Sequence, residues 1–261
     1  RAETYLLRNE AMNNLLWEVG RTLDRKRNKH AWLGTVERAG EVNLAAIRGS
    51  THYLILAQCE KKAIRVLASF LGKREVNLLG ATGPAGEVDV FSEAWGEASG
   101  NSFGKARSLK IYEFATENDS VNKRKTLGRM RLAEETDREL VRDWAIRFAA
   151  ESSSLMDPST LVELAEIIQA KGNLFLWEND KPVSMAGFGR RTPNGLVVNM
   201  VYTPNKCRGL GYAGALIAEL MVEARRRTAK LCCLFSEYGG GRNLYERIGF
   251  REVGIFQERA F

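Results

Sequence analysis

The stretch Leu196–Phe250 decides the fold of this chain. It opens with LVVNMVYT (196–203), continues through PNKCR (204–208) and GLGYAG (209–214), and closes with LYERIGF (244–250). The first run predicts a strand, and the glycine-rich run predicts a loop that opens a helix. Glycines at a helix start leave backbone N–H groups unobstructed, and the helix dipole adds positive potential. This junction therefore favours a bound pyrophosphate.

One ligand class with a pyrophosphate is the dinucleotides. Gly209, Gly211 and Gly214 spell G-x-G-x-x-G, and Glu237 follows the next predicted strand, where a ribose-binding acid would lie. However, the loop Pro204–Arg208 separates the strand from the first glycine. The 24 residues after Glu237 are also too few for the remaining strands of a doubly wound sheet. A dinucleotide-binding module is therefore the less favoured hypothesis.

Read as Arg208-x-x-Gly211-x-Ala213, the same loop resembles the Arg/Gln-x-x-Gly-x-Gly/Ala motif of the GNAT N-acetyltransferase superfamily. In that family the loop holds the pyrophosphate of acetyl-CoA. Val201–Pro204 is similar to the family's fourth strand, and Tyr245-x-x-x-Gly249-Phe250 resembles its C-terminal signature. The alternative is a plain glycine-rich turn beside a core tyrosine. The resemblance implies acetyl-CoA as cosubstrate, bound by Met200, Val201, Tyr202, Arg208, Gly209, Leu210, Gly211, Tyr212, Ala213, Gly214 and Asn243.

The resemblance also implies a mechanism, the transfer of an acetyl group to a primary amine by direct attack. The backbone of Met200–Tyr202 would bind the pantetheine arm as an added strand, because a strand that splays from its neighbour exposes N–H groups. Tyr245 would act as general acid for the departing thiolate, since a tyrosine with its ordinary pKa near ~10 keeps its proton at neutral pH. A buried aromatic with only a packing role is the alternative.

Glu237 is the best placed carboxylate to accept a proton from the amine, directly or through water. A solvated or helix-capping acid is an equally open interpretation. Gly239–Arg242 replaces the family's common Asn-Pro-containing loop, which puts both the role of Glu237 and the CoA contact of Asn243 in question.

Composition and charge limit the other functions. Of the 261 residues, 44% are hydrophobic, which is enough for two ordinary domains or one large one. No stretch reaches the length of a membrane span and no signal segment is recognisable, so a cytoplasmic protein without membrane contact is expected. The chain begins at Arg1 rather than Met, which leaves the true N-terminus open. The net charge of +7 suits a polyanion such as CoA, and nucleic acid is a minor alternative because the basic residues are dispersed.

No metal site is expected. The four cysteines have no paired metal-ligand spacing, and the two histidines are far in sequence from most of them. Cys232 and Cys233 fall in an apolar strand and are interpreted as core.

The order of predicted elements indicates an α/β (α+β) chain built from a repeat. The polar segment 117–128 is interpreted as a linker between a domain 1–118 and a domain 126–261. Both halves run helix, three strands, helix, strand, helix, strand, which predicts two tandem GNAT-type units. Each unit would be a mixed, mostly antiparallel sheet flanked by helices. Residues 57–63, AQCEKKA, stand where the glycine loop would be, so the N-terminal unit is expected to be degenerate.

Several local features test this interpretation. An amphipathic helix is expected from Met12 to Leu23, and a strand at Val76–Leu79 ending in a turn at Gly83-Pro84. A capping box is expected at Thr136–Glu139, and a hairpin turn at Asn179-Asp180.

The acceptor leaves no periodic trace in the sequence. The chain resembles bacterial predicted acetyltransferases related to glycine N-acyltransferases, and the partner is expected to be a small-molecule or peptide amine, with the protein a monomer or homodimer. The alternative function is a non-catalytic acyl-CoA-binding sensor or interaction protein.

Overall fold

The structure is a computed structural model that describes residues 2–23, 31–49, 53–74, 76–117, 126–152, 157–237 and 244–261. The helices are α1 (Ala2–Leu7), α2 (Asn14–Thr22), α3 (Lys61–Gly72), α4 (Ala85–Ser99), α5 (Arg138–Glu151), α6 (Pro158–Ala170), α7 (Tyr212–Arg226) and α8 (Leu244–Ile248). The strands are β1 (Trp32–Arg38), β2 (Glu41–Arg48), β3 (Tyr53–Leu56), β4 (Gly80–Pro84), β5 (Arg107–Ala115), β6 (Arg129–Leu132), β7 (Leu174–Asn179), β8 (Lys181–Arg191), β9 (Gly195–Tyr202), β10 (Leu231–Ser236) and β11 (Arg251–Ala260).

The chain divides into two compact units. The first comprises Arg1–Ile111 together with Val253–Phe261, and the second comprises Tyr112–Glu252. The predicted domains 1–118 and 126–261 stay a prediction, and the observed units differ from them in placing the last strand with the first unit. Most of the predicted linker, residues 118–125, lies outside the described residues.

In the first unit the sheet order is β1-β2-β3-β4-β11. The pairs are antiparallel except β3 with β4, which run parallel from Tyr53↔Gly80 to Ile55↔Thr82. Helices α3 and α4 cover this sheet with a core that includes Leu44, Leu54, Leu56, Ile64, Leu67, Phe91 and Trp95. The chain's last strand pairs antiparallel with β4, from Phe256↔Pro84 to Ala260↔Gly80.

Strand β4 corrects one expectation. The predicted strand Val76–Leu79 and the predicted turn at Gly83-Pro84 are wrong, because Gly80–Pro84 is itself a fully buried strand. Its small residues fit a crowded place: a Cβ built on Gly80 would lie 2.4 Å from the carbonyl oxygen of Arg259. Glycine and proline indicate turns in most sequences, so local propensity pointed away from the strand that tertiary packing requires.

In the second unit the sheet order is β6-β7-β8-β9-β10, again antiparallel except for the last pair. Each face carries its own core. Helices α7 and α8 pack on one face with Phe175, Phe188, Val198, Leu216, Leu220 and Tyr245, and α5 and α6 pack on the other with Leu176, Met185, Met200, Tyr202, Val141 and Ile168. The predicted fold class, a mixed and mostly antiparallel sheet flanked by helices, is confirmed.

Some of the local predictions are confirmed and others are not. The hairpin at Asn179-Asp180 is confirmed, with Asp180 at φ 60 between β7 and β8. The expected amphipathic helix is confirmed as α2, which spans Asn14–Thr22 and is slightly shorter at each end than predicted. The capping box lies earlier than expected: Asp137 Oδ2 accepts the backbone N–H of Glu134 at 2.8 Å, and a 3-10 turn precedes α5.

Candidate active site

The site begins where β9 separates from β10. These parallel strands pair only at their amino ends, from Leu231↔Gly195 to Cys233↔Val197, whereas β9 continues to Tyr202. Beyond Val197 no further pair joins the two strands among the described residues. A gap therefore opens toward the carboxyl ends of both strands, the splay that the sequence analysis expected near Met200–Tyr202.

A bulge lies in β9 at the start of this gap. Between the pairs Gly187↔Asn199 and Met185↔Tyr202, β9 contains one more residue than β8 does. Met200 takes φ 55, a left-handed conformation that is uncommon for a residue with a side chain. A bulge turns the local backbone and interrupts the ladder. The amide of Met200 donates to Asn199 Oδ1 at 3.3 Å, a long hydrogen bond.

The glycine loop follows β9 and ends at the start of α7. Gly209 (φ 77) and Gly211 (φ 88) both need the left-handed region, and Gly211 is the N-cap of α7 without a side-chain capping bond. The first helical bond is donated by the amide of Ala215 to the carbonyl of Gly211 at 3.0 Å. The earlier amides of this helix therefore have no partner within it, as at any helix start. Apart from its chain neighbours, no heavy atom of the described residues lies within 4 Å of a Cβ built on Gly209.

Arg208, just before the first glycine, is held by two groups. Its Nε donates to the carbonyl oxygen of Thr203 at 2.8 Å, and its Nη2 donates to Glu151 Oε2. The guanidinium also lies 5.8 Å from the ring centre of Tyr202. The side chain is nearly half exposed and so is within reach of a ligand.

Tyr202 and Glu151 complete this network. The hydroxyl of Tyr202 donates to Glu151 Oε1 at 3.1 Å. Arg208, followed by the hydrogen bond from Tyr202, lowers the pKa of the Glu151 carboxyl below its ordinary value. Burial and the Glu151 carboxylate raise the pKa of Tyr202, so both groups keep these charge states at neutral pH. The end of α5 is thus linked to the end of β9 and to the glycine loop.

Tyr245 lies on α8 and is 9% exposed. Its ring packs against those of Tyr112 and Phe250, each with ring centres 5.9 Å apart. A Cβ built on Gly214 would lie 3.2 Å from Leu244 Cδ1, so the first turn of α7 adjoins the helix that carries Tyr245.

The remaining predicted site residues are placed as follows. Glu237 comes directly after β10, at the open end of the strand gap. Leu210 is 60% exposed at the tip of the glycine loop, and the hydroxyl of Tyr212 accepts a hydrogen bond from Asn179 Nδ2 at 3.0 Å. Asn243 lies outside the described residues, so its predicted contact stays a prediction.

Two residues near the site were missed by the sequence analysis. Glu151 ends α5, where an acidic side chain opposes the helix dipole, and that anomaly was a usable signal. Tyr112 gave no signal, because its place beside Tyr245 depends on the packing of β5 against α8. Its hydroxyl donates to Glu246 Oε1 at 3.0 Å.

The remaining features concern metal ligands, membrane spans and cysteines. In the described part of the chain, no group of three or more His, Cys, Asp or Glu side chains is arranged to hold a metal ion. The helices described there are too short or too polar to cross a membrane. Cys232 and Cys233 are fully buried, which confirms their assignment to the core, and burial raises the pKa of Cys232.

Comparison with known proteins identifies the domain. A family model described as an acetyltransferase (GNAT) domain matches residues 170–252, which contain the strand gap, the glycine loop and Tyr245. A search of curated proteins finds no relative by sequence.

Solved structures resemble the chain over its whole length. A GCN5-related N-acetyltransferase from Kribbella flavida has TM-score 0.61 and 12% identity, with 96% of this chain and 94% of that one covered. An acetyltransferase from the GNAT family from Colwellia psychrerythraea has TM-score 0.55 and 13% identity, with 100% and 98% covered. A Drosophila protein has TM-score 0.61 and 14% identity, with 100% and 90% covered. At such identities the likeness concerns the fold. The family match shows that the second unit contains a GNAT acetyltransferase domain at residues 170–252.

Proposed function

We propose that the second unit is an N-acetyltransferase that moves an acetyl group from acetyl-CoA to a primary amine of a small molecule or peptide. The observation that carries this proposal is the gap between β9 and β10, which opens beside the glycine loop at the start of α7. An extended chain fits the gap, and a pyrophosphate fits the helix start. Acetyl-CoA has both parts.

The pantetheine arm would lie along β9 as an added strand. The bulge at Met200 supports this, because it breaks the ladder at the point where β9 has already left β10. The amide of Met200 makes a long hydrogen bond to its neighbour's side chain, which a thioester or pantetheine carbonyl can replace. A backbone donor of this kind would stabilise the oxyanion as the carbonyl carbon becomes tetrahedral.

The pyrophosphate would bind at the glycine loop. A ligand there meets the outward amides of the first turn of α7 and the positive end of a helix that spans Tyr212–Arg226. The guanidinium of Arg208 adds a charge. Gly209 and Gly211 supply the left-handed backbone, and Gly209 leaves space among the described residues for phosphate oxygens, which a side chain would fill.

The chemistry then needs two proton transfers. The amine nitrogen attacks the thioester carbonyl, the carbon–sulfur bond breaks, and the leaving thiolate takes a proton from the hydroxyl of Tyr245. Glu237, at the open end of the gap, accepts a proton from the amine directly or through water. We assign the general acid to Tyr245 because α8 places it beside the first turn of α7.

The first unit is proposed to be a degenerate copy without a CoA site. In place of glycine-loop amides, the backbone N–H of Cys59 donates to Glu87 Oε1 at 3.1 Å. A carboxylate in that position occupies the donor and repels phosphate.

Turnover is the decisive test. The whole chain is incubated with acetyl-CoA and a panel of primary amines, and free CoA is titrated as thiol. We expect CoA release that depends on the amine, with little release when the amine is omitted. Acetyl-CoA binding without release for any amine would favour the alternative, an acyl-CoA-binding sensor. If acetyl-CoA does not bind at all, both the enzyme and the sensor hypotheses are wrong.

A further inference from the structure

Glu151 occupies an unfavourable place for a carboxylate. It is the last residue of α5, where the negative end of the helix dipole repels it. Two donors offset this cost: Arg208 from the glycine loop and the hydroxyl of Tyr202 from β9. The Glu151 and Arg208 side chains are 35% and 47% exposed, so the pair lies at the surface of the site.

The proposed function gives Arg208 a second anion to bind. Its Nη2 now donates to Glu151, and a pyrophosphate at the glycine loop requires the same guanidinium. The Nε bond to the carbonyl oxygen of Thr203, at 2.8 Å, fixes the other edge of the group. The guanidinium can therefore exchange one anion for the other at Nη2 while its Nε stays in place.

We propose that Glu151 lowers the affinity of this site for anions by competing with the pyrophosphate of the cosubstrate for Arg208. This rests on the proposed function of the glycine loop. Tyr202 retains the carboxylate through its own hydrogen bond when Arg208 is withdrawn. A small anion gains little from displacing Glu151, whereas acyl-CoA makes further contacts along β9 and exceeds that cost.

Calorimetric titration of the whole chain with CoA, and separately with inorganic pyrophosphate, tests the competition. Glu151→Gln keeps the shape of the side chain and removes its charge. We expect this variant to bind both probes about 2- to 5-fold more tightly, the range of a half-exposed ion pair. Because both probes must withdraw Arg208 from Glu151, the fold-gain should be the same for pyrophosphate as for CoA.

Two further variants separate competition from general charge effects. Glu139→Gln removes one negative charge from the first turn of the same helix, at the end far from Glu151, and should leave both affinities unchanged. In an Arg208→Gln background, Glu151→Gln should have no effect, because nothing is left to compete for.

Three results would overturn the inference. Equal tightening with and without Arg208 would indicate plain repulsion of phosphate, and weaker binding by Glu151→Gln would indicate a carboxylate that only orders the loop. Both leave the CoA site itself intact. If the wild-type chain binds neither probe, the proposed function fails together with the inference.

Discussion

The two units contain the same kind of strand junction but differ in how far its parallel strands stay paired. Each contains one parallel pair among antiparallel ones, β3 with β4 in the first and β9 with β10 in the second. Strand β3 has pairs along nearly its whole length, from Tyr53 to Ile55. Strand β9 is paired with β10 only from Gly195 to Val197 and then leaves it. The first junction is closed and the second is open.

The closed junction is held by contacts that leave no room for a ligand. A Cβ built on Gly83 would lie 2.7 Å from the carbonyl oxygen of Leu56, so β4 remains in close contact with the end of β3. Beyond that end, Glu87 accepts the amide of Cys59. The same succession of elements therefore forms a ligand site only where the strands separate and glycines follow.

The largest expected effect comes from a substitution at the open junction. Gly211→Asp puts a negative side chain where the pyrophosphate would bind, so acetyl-CoA affinity measured by calorimetry should fall by about 100-fold or more, which corresponds to about 2.7 kcal/mol. Gly172→Asp is the control for an added negative charge at a glycine with positive φ (65), since Gly172 lies just after the end of α6. Unchanged affinity in a folded Gly211→Asp variant would remove the site.

The second effect concerns the acid. Tyr245→Phe keeps the ring contacts with Tyr112 and Phe250 but removes the proton, so kcat should fall by about 100-fold with acetyl-CoA affinity little changed. The control is Tyr112→Phe, which loses a hydrogen bond to Glu246 and should cost about 1 kcal/mol of stability with kcat retained. If Tyr245→Phe loses stability and keeps its kcat, the tyrosine is only structural.

The third expected effect comes from a substitution at the closed junction. Gly83→Ala forces a methyl group against the Leu56 carbonyl and should lower the free energy of unfolding by about 2 kcal/mol. Gly86→Ala is the control, because a Cβ there meets no atom of another described element within 4 Å and alanine favours the helix α4. Denaturant unfolding measures both. Acetyl-CoA affinity should be the same in both variants, and a loss of affinity in Gly83→Ala alone would place a ligand at the closed junction.

The smallest expected effect concerns β6. This strand comes before the series of helices and strands that the two units share. Arg131 Nη1 lies 2.6 Å from Asp137 Oδ2, and this ion pair holds the pKa of the Asp137 carboxyl below its usual range. A lowered folded pKa contributes stability above the unfolded value of about 3.9, and this is lost as the pH falls through the folded pKa. Arg131→Gln should therefore cost about 1 kcal/mol at neutral pH, with the difference from wild type vanishing in acid.

The control for this variant is Arg147→Gln, whose ion pair with Asp143 is exposed and should contribute little. A pH-independent loss in Arg131→Gln would contradict the role given to Asp137. Acetyl-CoA affinity should remain that of the wild type in both variants.

The sequence predicted most of the second unit because its signals are local. Periodicity and turn residues located the helix after the glycine loop, the hairpin at Asn179-Asp180 and the strand containing Cys232 and Cys233. The start of α6 is likewise set by local residues, because Asp157 Oδ1 accepts the amide of Ser159 at 2.8 Å and Pro158 is the first residue of the helix. Each of these depends on residues close together in the chain.

What the sequence missed depends on distant contacts. Strand β4 is built of residues typical of turns, and its strand conformation is fixed by its pairing with β3 and β11. The contact of Glu151 with Arg208 joins residues far apart in the chain, and no spacing rule predicts it. The pairing of β11 with β4 likewise gave no local signal.

The number of acetyl-CoA molecules bound per chain tests the central claim most directly. Calorimetric titration of the whole chain should give one molecule per chain, and that single site should disappear in Gly211→Asp. A stoichiometry of two, or a site that persists in Gly211→Asp, would contradict the contrast between the open and the closed junction. Titration with NAD under the same conditions should give weaker binding, and tighter binding of NAD would contradict the acyl-CoA site.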